Sequence, residues 1–527
     1  MNGLIRFQKV IIISTIFFLL VIITFFFYLS DLTTYGPTWD ELVFHRNYGR
    51  TYTNFIRDRD LKPIINDDNA SWFPPVAVTI GNIFLENKFL RNIYPVNSDR
   101  FHLAAVLFGS ITVGTVFLIA YLLFNNLYLA IFSSLILATY PQFITQSHNN
   151  VRDIGLTMFY SISILFLLYS IRSKHSIFWM ALSGMIVGIT TDTKQNGAFL
   201  VIIGIVWFLF HFRKLGILRF LSGSLFFIAF FLISFITFWP YMWADTFRHL
   251  QLAWHFLTDP GIIAGSTTFY DKVYISMRNI PIYYPWVMLF ILTPPVISFL
   301  ALIGLIVAFA SMLKGKKEAA ILFLWIFVPL FRFFFPLSSS TFDQIRHFFE
   351  VVPSIPILAS LTLYTIIKWF KDIVLVKKFI TVVTLLIFSY NIYVSLIYRP
   401  YGTAYFNFFA GPPSYVNHAF DIEYWGSVYR EATKVLNERY GRNVIYYSAG
   451  LGSHILVEDG LLGKLTDNYL DNFDYIIFMN KQTWLRNNDY VLWLISNKKP
   501  LYTIERGGKV IFYQFAPYKE EYLQQKK

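Results

Sequence analysis

The chain has 527 residues, of which 56% are hydrophobic and only 14% are charged. Soluble globular proteins carry about 25% charged residues, so this composition excludes an ordinary soluble enzyme and indicates a membrane protein. The net charge of +13 lies in short basic runs between apolar segments, which favours a positive-inside topology over nucleic-acid binding. The absence of cysteine excludes disulfides, thiolate metal sites and a cysteine nucleophile.

The first predicted element is an apolar run from about Val10 to Leu29, long enough to cross a hydrocarbon core of about 30 Å. No small-residue cleavage site follows it, so we predict an uncleaved first span. Comparable runs lie near 101–124, 127–145, 154–171, 177–193, 197–212, 220–238, 286–312, 319–337, 351–370 and 379–398. The pattern therefore predicts an all-α polytopic membrane protein with about 11 transmembrane helices.

The basic residues predict the orientation of these spans. One set of connections holds most of the Lys and Arg, including Arg172, Lys174 and the run at 213–219, whereas the other set is poor in them. Because basic connections stay in the cytoplasm, we expect a cytoplasmic N-terminus. The first loop (about 30–100), the connection near 239–285 and everything after Arg399 then lie on the outer side of the cell membrane, or of the endoplasmic reticulum membrane in a eukaryote.

Two outer segments have predicted structure of their own. Residues 239–260 are rich in aromatic residues among polar ones, which is typical of a helix lying at the headgroup level. Residues 399–527 read as a small extracytoplasmic α/β domain following a membrane domain of residues 1–398. Its strand-like runs are Val444–Ser448, Tyr475–Met479 and Lys509–Phe515, and its helical runs are Ser427–Arg439 and Thr483–Ser496.

Adjacent carboxylates, Asp40 and Glu41, follow the first span by about ten residues. Neighbouring side chains point in different directions on any regular element, so at most one of them is expected to meet a substrate. One interpretation is a solvated loop acid or a helix cap. The aromatic and proline residues around the pair favour the other, a partly dry site in which the pKa of a carboxyl rises toward that of a useful base.

Two further polar turns join predicted spans on the outer side. Asp153 directly precedes the fourth span, where it could simply cap the helix against its dipole or could belong to a site. Lys194 lies in the polar turn 191–197, and its ammonium group suits either the lipid headgroups or a phosphate. The residues alone leave both pairs of readings open.

Arg332 lies in the ninth predicted span, among phenylalanines. An arginine inside a membrane costs about 2.5 to 3.5 kcal/mol on insertion scales, so a partner anion from the protein or a ligand is expected. The loop that follows contains Arg346 and His347, and a lone histidine of this kind is more often structural than catalytic. Asp58-Arg59-Asp60 has the form of a metal-binding acidic pair, but its charged surroundings predict a solvated loop.

The chain lacks a Gly-rich phosphate loop, a metal-ligand cluster and a nucleophile turn. We therefore expect no cofactor and no metal site, and no spacing indicates a divalent cation. Outer carboxylates and cations next to a membrane suit a reaction with a lipid-anchored anionic leaving group and an acceptor arriving from outside. Transfer of a sugar from a polyprenyl phosphate meets both conditions, since cations stabilise the departing phosphate and a carboxylate takes the proton of the acceptor hydroxyl.

Several short motifs, in this order and on this side of the membrane, resemble those of the phospholipid-carrier-dependent glycosyltransferases of the GT-C superfamily. These enzymes are relatives of protein O-mannosyltransferases and of the aminoarabinose transferase that acts on lipid A. The motifs are Trp39-Asp40-Glu41, Asn150-Val151-Arg152-Asp153, Thr193-Lys194-Gln195-Asn196-Gly197, Asp343-Gln344-Ile345-Arg346-His347-Phe348 with Pro353, Arg399-Pro400-Tyr401 through Asn407, and Asp421 through Gly426. The sequence departs from many members at Gln344 and at Gly411-Pro412-Pro413.

The resemblance implies an inverting transferase whose base is Asp40, with Glu41 beside it and Asp153 as the second acid of the site. It also implies that cations hold the carrier phosphate, for which Lys194, Arg332, Arg346 and His347 are candidates. The expected partners are a polyprenyl-phosphate-linked sugar, membrane lipid and an acceptor that is a protein, a lipid or a glycan.

Two other functions remain alternatives at this stage. A transporter or flippase for lipid-linked sugars would also have many spans and outer aromatics, but transporters commonly have internal repeats and charges near the midplane. This sequence has no evident repeat, and its ionisable residues gather at the outer ends of the spans, which favours catalysis. An inactive relative that serves as a scaffold is the third reading, against which both carboxylates argue.

Overall fold

The computed structural model describes residues 2–258, 265–274, 279–315, 317–334, 342–371, 373–450 and 452–525. Residues 335–337 of the predicted ninth span, and residues 259–264 and 275–278 of the outer connection, lie outside this description. The α-helices are α1 (Asn2–Leu29), α2 (Arg46–Asp58), α3 (Lys62–Ile65), α4 (Val76–Glu86), α5 (Lys88–Ile93), α6 (Asn97–Phe124), α7 (Leu127–Ala138), α8 (Pro141–Asn149), α9 (Val151–Arg172), α10 (Ser176–Thr191), α11 (Phe199–Phe210), α12 (Phe212–Leu215), α13 (Ile217–Phe238), α14 (Thr246–Thr258), α15 (Tyr284–Ile291), α16 (Pro295–Leu313), α17 (Ala320–Phe331), α18 (Ser354–Trp369), α19 (Val374–Tyr398), α20 (Pro413–Ala419), α21 (Tyr429–Tyr440), α22 (Ser453–Glu458), α23 (Gln482–Leu485), α24 (Asp489–Asn497) and α25 (Lys519–Gln525).

Six helices of the described chain are long and apolar enough to cross a membrane: α1, α6, α9, α13, α16 and α19. The helices α7 and α8 make a seventh if this pair, bent by 61°, counts as one span. The polytopic, mainly helical architecture predicted from the sequence is therefore confirmed, but the predicted number of 11 spans is not.

The shortfall has a physical reason in helix length. Helices α10 and α18 have 16 residues each, and at 1.5 Å per residue each is about 24 Å long, less than the hydrocarbon thickness of about 30 Å. Helix α17 has only 12 residues. The predicted run 127–145 is interrupted just before Pro141, where α8 begins with proline at its first position. The apolar runs in the sequence continue through the turns at which the helices end, so the runs are longer than the helices they contain.

The helices α6 and α9 form the centre of the bundle. In their most apolar 18-residue stretches, 83% and 78% of the residues are buried, against 11% for α1 and 22% for α13 and α16. Helix α6 packs against α1, α7 and α9, and α10 packs between α9 and α13. The helices at the periphery of the bundle expose apolar side chains. These are suited to contact with lipid, because so large an apolar surface is unfavourable in water.

The connections that the sequence predicts on the outer side carry short elements. The predicted interfacial helix is present as α14, on which Phe247, Leu250 and Trp254 expose their side chains. The Asp58-Arg59-Asp60 segment is exposed at the end of α2, in agreement with a solvated loop. A two-stranded antiparallel sheet, β1 (Thr267–Phe269) and β2 (Lys272–Tyr274), precedes α15.

The C-terminal region contains a five-stranded mixed sheet in the order β4-β3-β5-β7-β6. Its strands are β3 (Ile445–Ser448), β4 (Lys464–Thr466), β5 (Tyr475–Met479), β6 (Tyr502–Arg506) and β7 (Lys509–Phe515). β3 is parallel to β4 and β5, while β7 is antiparallel to β5 and β6. The small C-terminal α/β region is thus confirmed, whereas its predicted boundary at 398/399 stays a prediction.

Several element ends meet at one end of the bundle. Hydrogen bonds between segments at these ends bring together the C-terminal ends of α1, α10 and α17 and the segments that precede α9 and α18. This arrangement gathers residues from five distant parts of the chain beside the C-terminal region.

Candidate active site

Asp40 lies in a segment that is fixed to the C-terminal region. Helix α1 ends at Leu29, and the chain turns through a short 3-10 helix (Leu32–Thr34) toward Asp40. The backbone N–H of Trp39 donates to the carbonyl oxygen of Trp425 at 2.9 Å. Asp40 then precedes a wide helical turn, Glu41–His45, that continues into α2. The position of Asp40 is therefore set by both parts of the chain.

The carboxylate of Asp40 forms an ion pair with Arg346. Arg346 Nη1 donates to Asp40 Oδ2 at 2.7 Å, and the two side chains are 9% and 16% exposed, respectively. Burial opposes ionisation of Asp40, but the Arg346 guanidinium outweighs it, so the pKa of Asp40 lies below its ordinary value. The expectation that the pKa of this carboxyl is raised is therefore wrong for this state. The sequence indicated the dry surroundings but not the cation within them.

Arg346 is held from several sides. Its Nε and Nη2 donate to Asp343 Oδ2 at 3.1 and 2.8 Å. The rings of Phe342 and Trp425 lie 5.0 and 4.9 Å from the guanidinium carbon, within the range of cation–π attraction. Asp343 also accepts from Lys481 Nζ at 3.0 Å. Two carboxylates and two cations thus alternate in one buried chain.

Glu41 does not share this chain. Its side chain is fully buried, and Glu41 Oε1 accepts from Arg46 Nε at 2.9 Å and from Arg46 Nη2 at 2.6 Å. The ring of His102 lies 2.7 Å from its other oxygen. Adjacent carboxylates do point apart, as the sequence suggested, and the contacts of Glu41 secure the wide turn that carries Asp40. The catalytic contribution expected of Glu41 stays a prediction.

Replacing Glu41 by Gln is expected to destabilise the protein by about 3 kcal/mol at neutral pH, because the buried Arg46 loses its best partner. Burial raises the pKa of Glu41, but His102 and Arg46 outweigh burial and lower it to about 2. This stabilisation is fully present above the ordinary value near 4.5 and is lost as the pH falls toward 2. Unfolding of both proteins in detergent from pH 7 to 3 would test it.

The control for this prediction is Glu86→Gln, since Glu86 pairs with Arg57 at 2.9 Å in a largely exposed ion pair. Such pairs contribute about 0 to 1 kcal/mol. A difference between wild type and Glu41→Gln that stays constant over the whole pH range would contradict the assignment.

Asp153 pairs with Lys194 at the start of α9. Lys194 Nζ lies 2.6 Å from Asp153 Oδ1, and both side chains are at most 10% exposed. Asn150 caps the helix instead, because its side-chain oxygen accepts from the backbone N–H of Asp153 at 3.1 Å. Asp153 lies in the first turn of α9, where the dipole reading places it, and it also pairs with Lys194, which points inward to this carboxylate instead of outward to headgroups.

Arg332 and His347 form a deeper polar group with Asn196 and Glu350. Arg332 Nη2 and Asn196 Nδ2 both donate to the carbonyl oxygen of His347, at 2.7 and 2.8 Å. Asn196 Nδ2 also donates to Glu350 Oε1 at 3.0 Å. The charge of the buried Glu350 acts on Arg332, but burial raises the pKa of Glu350 and the hydrogen bonds of Arg332 go to Asn196 and to the backbone of His347. The partner anion expected for Arg332 therefore stays a prediction.

His347 is surrounded by positive charge. Burial, together with the charges of Arg346, Lys194 and Arg332, lowers the pKa of His347 well below its ordinary value. The ring is therefore neutral at physiological pH, and its Nε2 atom is buried without a hydrogen-bond partner among the described residues. A neutral imidazole among three cations can donate a hydrogen bond to an anion, but it cannot add a fourth charge.

These contacts bring the candidate residues together. The charges of Asp40 and Asp153 both act on Arg346, and those of Lys194 and Glu350 act on each other. Asp40, Asp153, Lys194, Arg332, Arg346 and His347 therefore belong to one electrostatic cluster, from which Glu41 is separated. Five of these six members, all but Arg332, come from four sequence motifs on different loops, and only the fold unites them.

Some residues of the cluster were not predicted. Asp343 and Asn196 lie within two of the motifs, but the sequence indicates no role for either, and Glu350 lies outside every motif. Lys481 lies 138 residues from its partner Asp343, and it follows a strand of the C-terminal region without any local motif. A systematic search for acids three residues before each candidate arginine could have found Asp343, but no sequence signal indicates Lys481.

Among the described residues, no group of three His, Asp or Glu side chains is arranged to hold a metal ion. The cluster does contain several cationic side chains, and these could neutralise a phosphate in place of a metal ion. The expectation of no metal and no cofactor stays a prediction.

Comparison with known families gives one match to the sequence. Residues 87–243, less than a third of the chain, match the model of the family described as dolichyl-phosphate-mannose-protein mannosyltransferase. The matched part includes Asp153 and Lys194 but neither Asp40 nor Arg346. The match confirms the resemblance to lipid-phosphate-dependent glycosyltransferases that the motifs indicated. No curated protein matches the chain.

Solved structures of similar proteins have low sequence identity to this chain. ArnT from Cupriavidus metallidurans bound to undecaprenyl phosphate is 14% identical over 95% of this chain and 97% of its own, with a TM-score of 0.48. Its apo structure is 15% identical over the same shares, with a TM-score of 0.49. The oligosaccharyltransferase of Archaeoglobus fulgidus in the apo form is 12% identical over 88% of this chain and 69% of its own, with a TM-score of 0.45.

The apolar helices and the family match together support a multi-pass membrane glycosyltransferase related to those that use polyprenyl-phosphate carriers.

Proposed function

We propose that this protein transfers one sugar from a dolichyl- or undecaprenyl-phosphate donor to an acceptor on the extracytoplasmic face of the membrane. The observation that carries the proposal is the cluster at the end of the helix bundle, in which Asp40 pairs with Arg346 and Asp153 pairs with Lys194. A carboxylate beside several cations at the edge of an apolar helix bundle suits a reaction in which a base and a phosphate site are needed together. The match to a mannosyltransferase family over residues 87–243 supports the same chemistry.

In the proposed reaction the acceptor hydroxyl oxygen attacks the anomeric carbon of the sugar. The bond between that carbon and the phosphate oxygen breaks as the new bond forms on the opposite face, so the configuration inverts. Asp40 takes the proton of the hydroxyl, and Asp153 orients the acceptor.

The leaving group gains one negative charge when it departs as polyprenyl phosphate. Arg346, Lys194 and Arg332 supply cations for it, and the neutral His347 supplies a hydrogen-bond donor. Donors fixed in place before the reaction stabilise charge that develops in the transition state without having to reorganise. The buried ring of Trp425 and the half-buried ring of Phe342 beside Arg346 strengthen this effect because they limit the access of water.

The proposal requires the cluster to face outward. A single cysteine introduced at Ser453, in the C-terminal region, is expected to react with an impermeant maleimide added to intact cells. One at Ser173, which follows α9 at the other end of the bundle, should react only after permeabilisation. The absence of native cysteine makes both variants clean reporters. The reverse labelling pattern would contradict the proposed sidedness.

The experiment that tests the function measures two quantities in the same proteoliposomes. A transferase releases one polyprenyl phosphate for each sugar that appears on the acceptor, whereas a flippase moves intact donor between leaflets. Release of polyprenyl phosphate in step with glycosylated acceptor would support the proposal. Donor that changes leaflet with its sugar still attached would favour the transporter.

A further inference from the structure

Two roles proposed for neighbouring side chains cannot be fulfilled at once in the observed arrangement. Arg346 is a candidate for holding the donor phosphate, and Asp40 is the proposed base. Yet Arg346 Nη1 and Asp40 Oδ2 lie 2.7 Å apart and occupy each other. A carboxylate that is paired with a guanidinium is a poor proton acceptor. A guanidinium whose Nη1 already donates to a carboxylate has one donor fewer for a phosphate.

The other nitrogens of Arg346 are not free to replace Nη1. Both Nε and Nη2 donate to the same oxygen of Asp343, and the rings of Phe342 and Trp425 lie 5.0 and 4.9 Å from the guanidinium carbon. The side chain therefore cannot swing away from Asp40 without breaking several contacts. The fewest contacts are lost if Nη1 alone changes its partner while the rest of the guanidinium stays in place.

Asp343 is itself held firmly. Asp343 and Gln344 both have left-handed backbone conformations, with φ of +55° and +61°. Non-glycine residues adopt such conformations at a cost of about 1 to 3 kcal/mol each, and only where the surroundings enforce them. Here Gln344 Nε2 donates to the carbonyl oxygens of Thr403 and Asp421, at 2.9 and 3.0 Å. Lys481 Nζ completes the restraint through Asp343 Oδ1.

The charges explain what this restraint achieves. Without a ligand, Asp40 and Asp343 balance Arg346 and Lys481 in one buried group. A phosphate that takes Nη1 from Asp40 adds a negative charge to this group, and Lys481 is the cation that keeps Asp343 from repelling it. Lys481 follows β5, so the C-terminal region supplies a charge to the cluster.

We propose that Asp343 and Lys481 are positioning residues that hold Arg346 so that its Nη1 exchanges Asp40 for the donor phosphate. Binding of the donor then releases the Asp40 carboxylate at the moment when the acceptor needs a base. The inference rests on the proposed function, and it adds an order of events in which the base becomes available only after the donor is bound.

The proposal predicts changes of opposite sign in the affinity for undecaprenyl phosphate, measured with the purified full-length protein in detergent. Asp40→Asn removes the competitor of the phosphate and is expected to bind it about tenfold more tightly. Lys481→Gln is expected to bind it about tenfold more weakly, with recovery in Lys481→Arg. A role of Lys481 in folding alone would lower the unfolding temperature without giving this selective recovery.

A double-variant cycle isolates the exchange. In an Arg346→Gln background, Asp40→Asn should no longer change the affinity, because the shared group is gone. The matched controls are Asp31→Asn, which breaks an ion pair with Arg399 at 2.7 Å, and Lys498→Gln, which breaks one with Glu521 at 2.5 Å. Both should bind undecaprenyl phosphate as the wild type does.

The outcomes separate this inference from the proposed function. If the wild type binds undecaprenyl phosphate but Asp40→Asn binds it no more tightly, the exchange is refuted while the function stands. If Lys481→Gln binds as the wild type does, the positioning role is refuted. If the wild type binds no polyprenyl phosphate, the proposed function fails and the inference fails with it.

Discussion

Replacing Asp40 by Asn is expected to lower the rate of sugar transfer by about 10³-fold, within the range that a general base contributes. The amide has nearly the same shape as the carboxylate but cannot accept the proton of the acceptor hydroxyl. The turn that carries residue 40 is secured by Glu41 and by the Trp39–Trp425 hydrogen bond, so the fold should persist. The measurement is the single-turnover rate with saturating donor.

The control for this prediction is Asp31→Asn, in which a carboxylate paired with an arginine is lost outside the cluster. It should transfer sugar as the wild type does. Substantial turnover by Asp40→Asn, at a tenth of the wild-type rate or more, would exclude Asp40 as the base and direct attention to Asp153, the second carboxylate of the cluster.

Replacing Arg346 by Ala is expected to raise the dissociation constant of the donor by about 100-fold, since truncating one member of a buried charge pair costs about 2 to 5 kcal/mol. The variant removes the cation offered to the phosphate, leaves Asp40 without its ion-pair partner and leaves Asp343 with Lys481 as its remaining cation. Acceptor binding should change less, because in the proposed reaction the guanidinium contacts the donor phosphate and not the acceptor.

The matched control is Arg506→Ala, which removes an arginine paired with Glu431 at 2.7 Å in the C-terminal region. Its donor affinity should equal that of the wild type. An unchanged donor dissociation constant in Arg346→Ala would assign the phosphate to Lys194 and Arg332 instead.

The C-terminal region shows how much of the fold local sequence patterns can predict. Three of its five strands were predicted to within one residue, because each is a short apolar run bounded by polar turn residues. The strands β4 and β6 were missed. β4 has only three residues, and its backbone partner is β3, which comes almost twenty residues earlier in the chain. A strand as short as β4 is stabilised by backbone pairing with its neighbour, and its sequence is too short to show an alternating pattern of apolar residues.

The predicted helical run Thr483–Ser496 is divided in the structure into α23 and α24. The side-chain oxygen of Asn488 accepts from the backbone N–H of Val491 and begins the second helix. An asparagine pair within a helical pattern is a weak signal for such a break, which explains the error.

For the cluster, the sequence predicted the residue types but not their pairings. Asp40 and Arg346 are separated by 306 positions, and no local pattern can indicate that they touch. The predicted rise in the pKa of Asp40 failed for the same reason, since burial was visible in the aromatic neighbours but the guanidinium was not. Lys194 and Asp153, 41 positions apart, are likewise paired only by the packing of α9 against α10.

The central claim is that a sugar leaves a lipid phosphate and reaches an acceptor through this cluster. Its most direct test incubates the purified wild-type protein in liposomes with a panel of radiolabelled sugar donors on polyprenyl phosphates and with a membrane extract as acceptor. We expect label to appear on the acceptor from at least one donor, and Asp40→Asn to leave it on the lipid. Label that stays on every donor with the wild type, under conditions in which the donor is bound, would contradict the account.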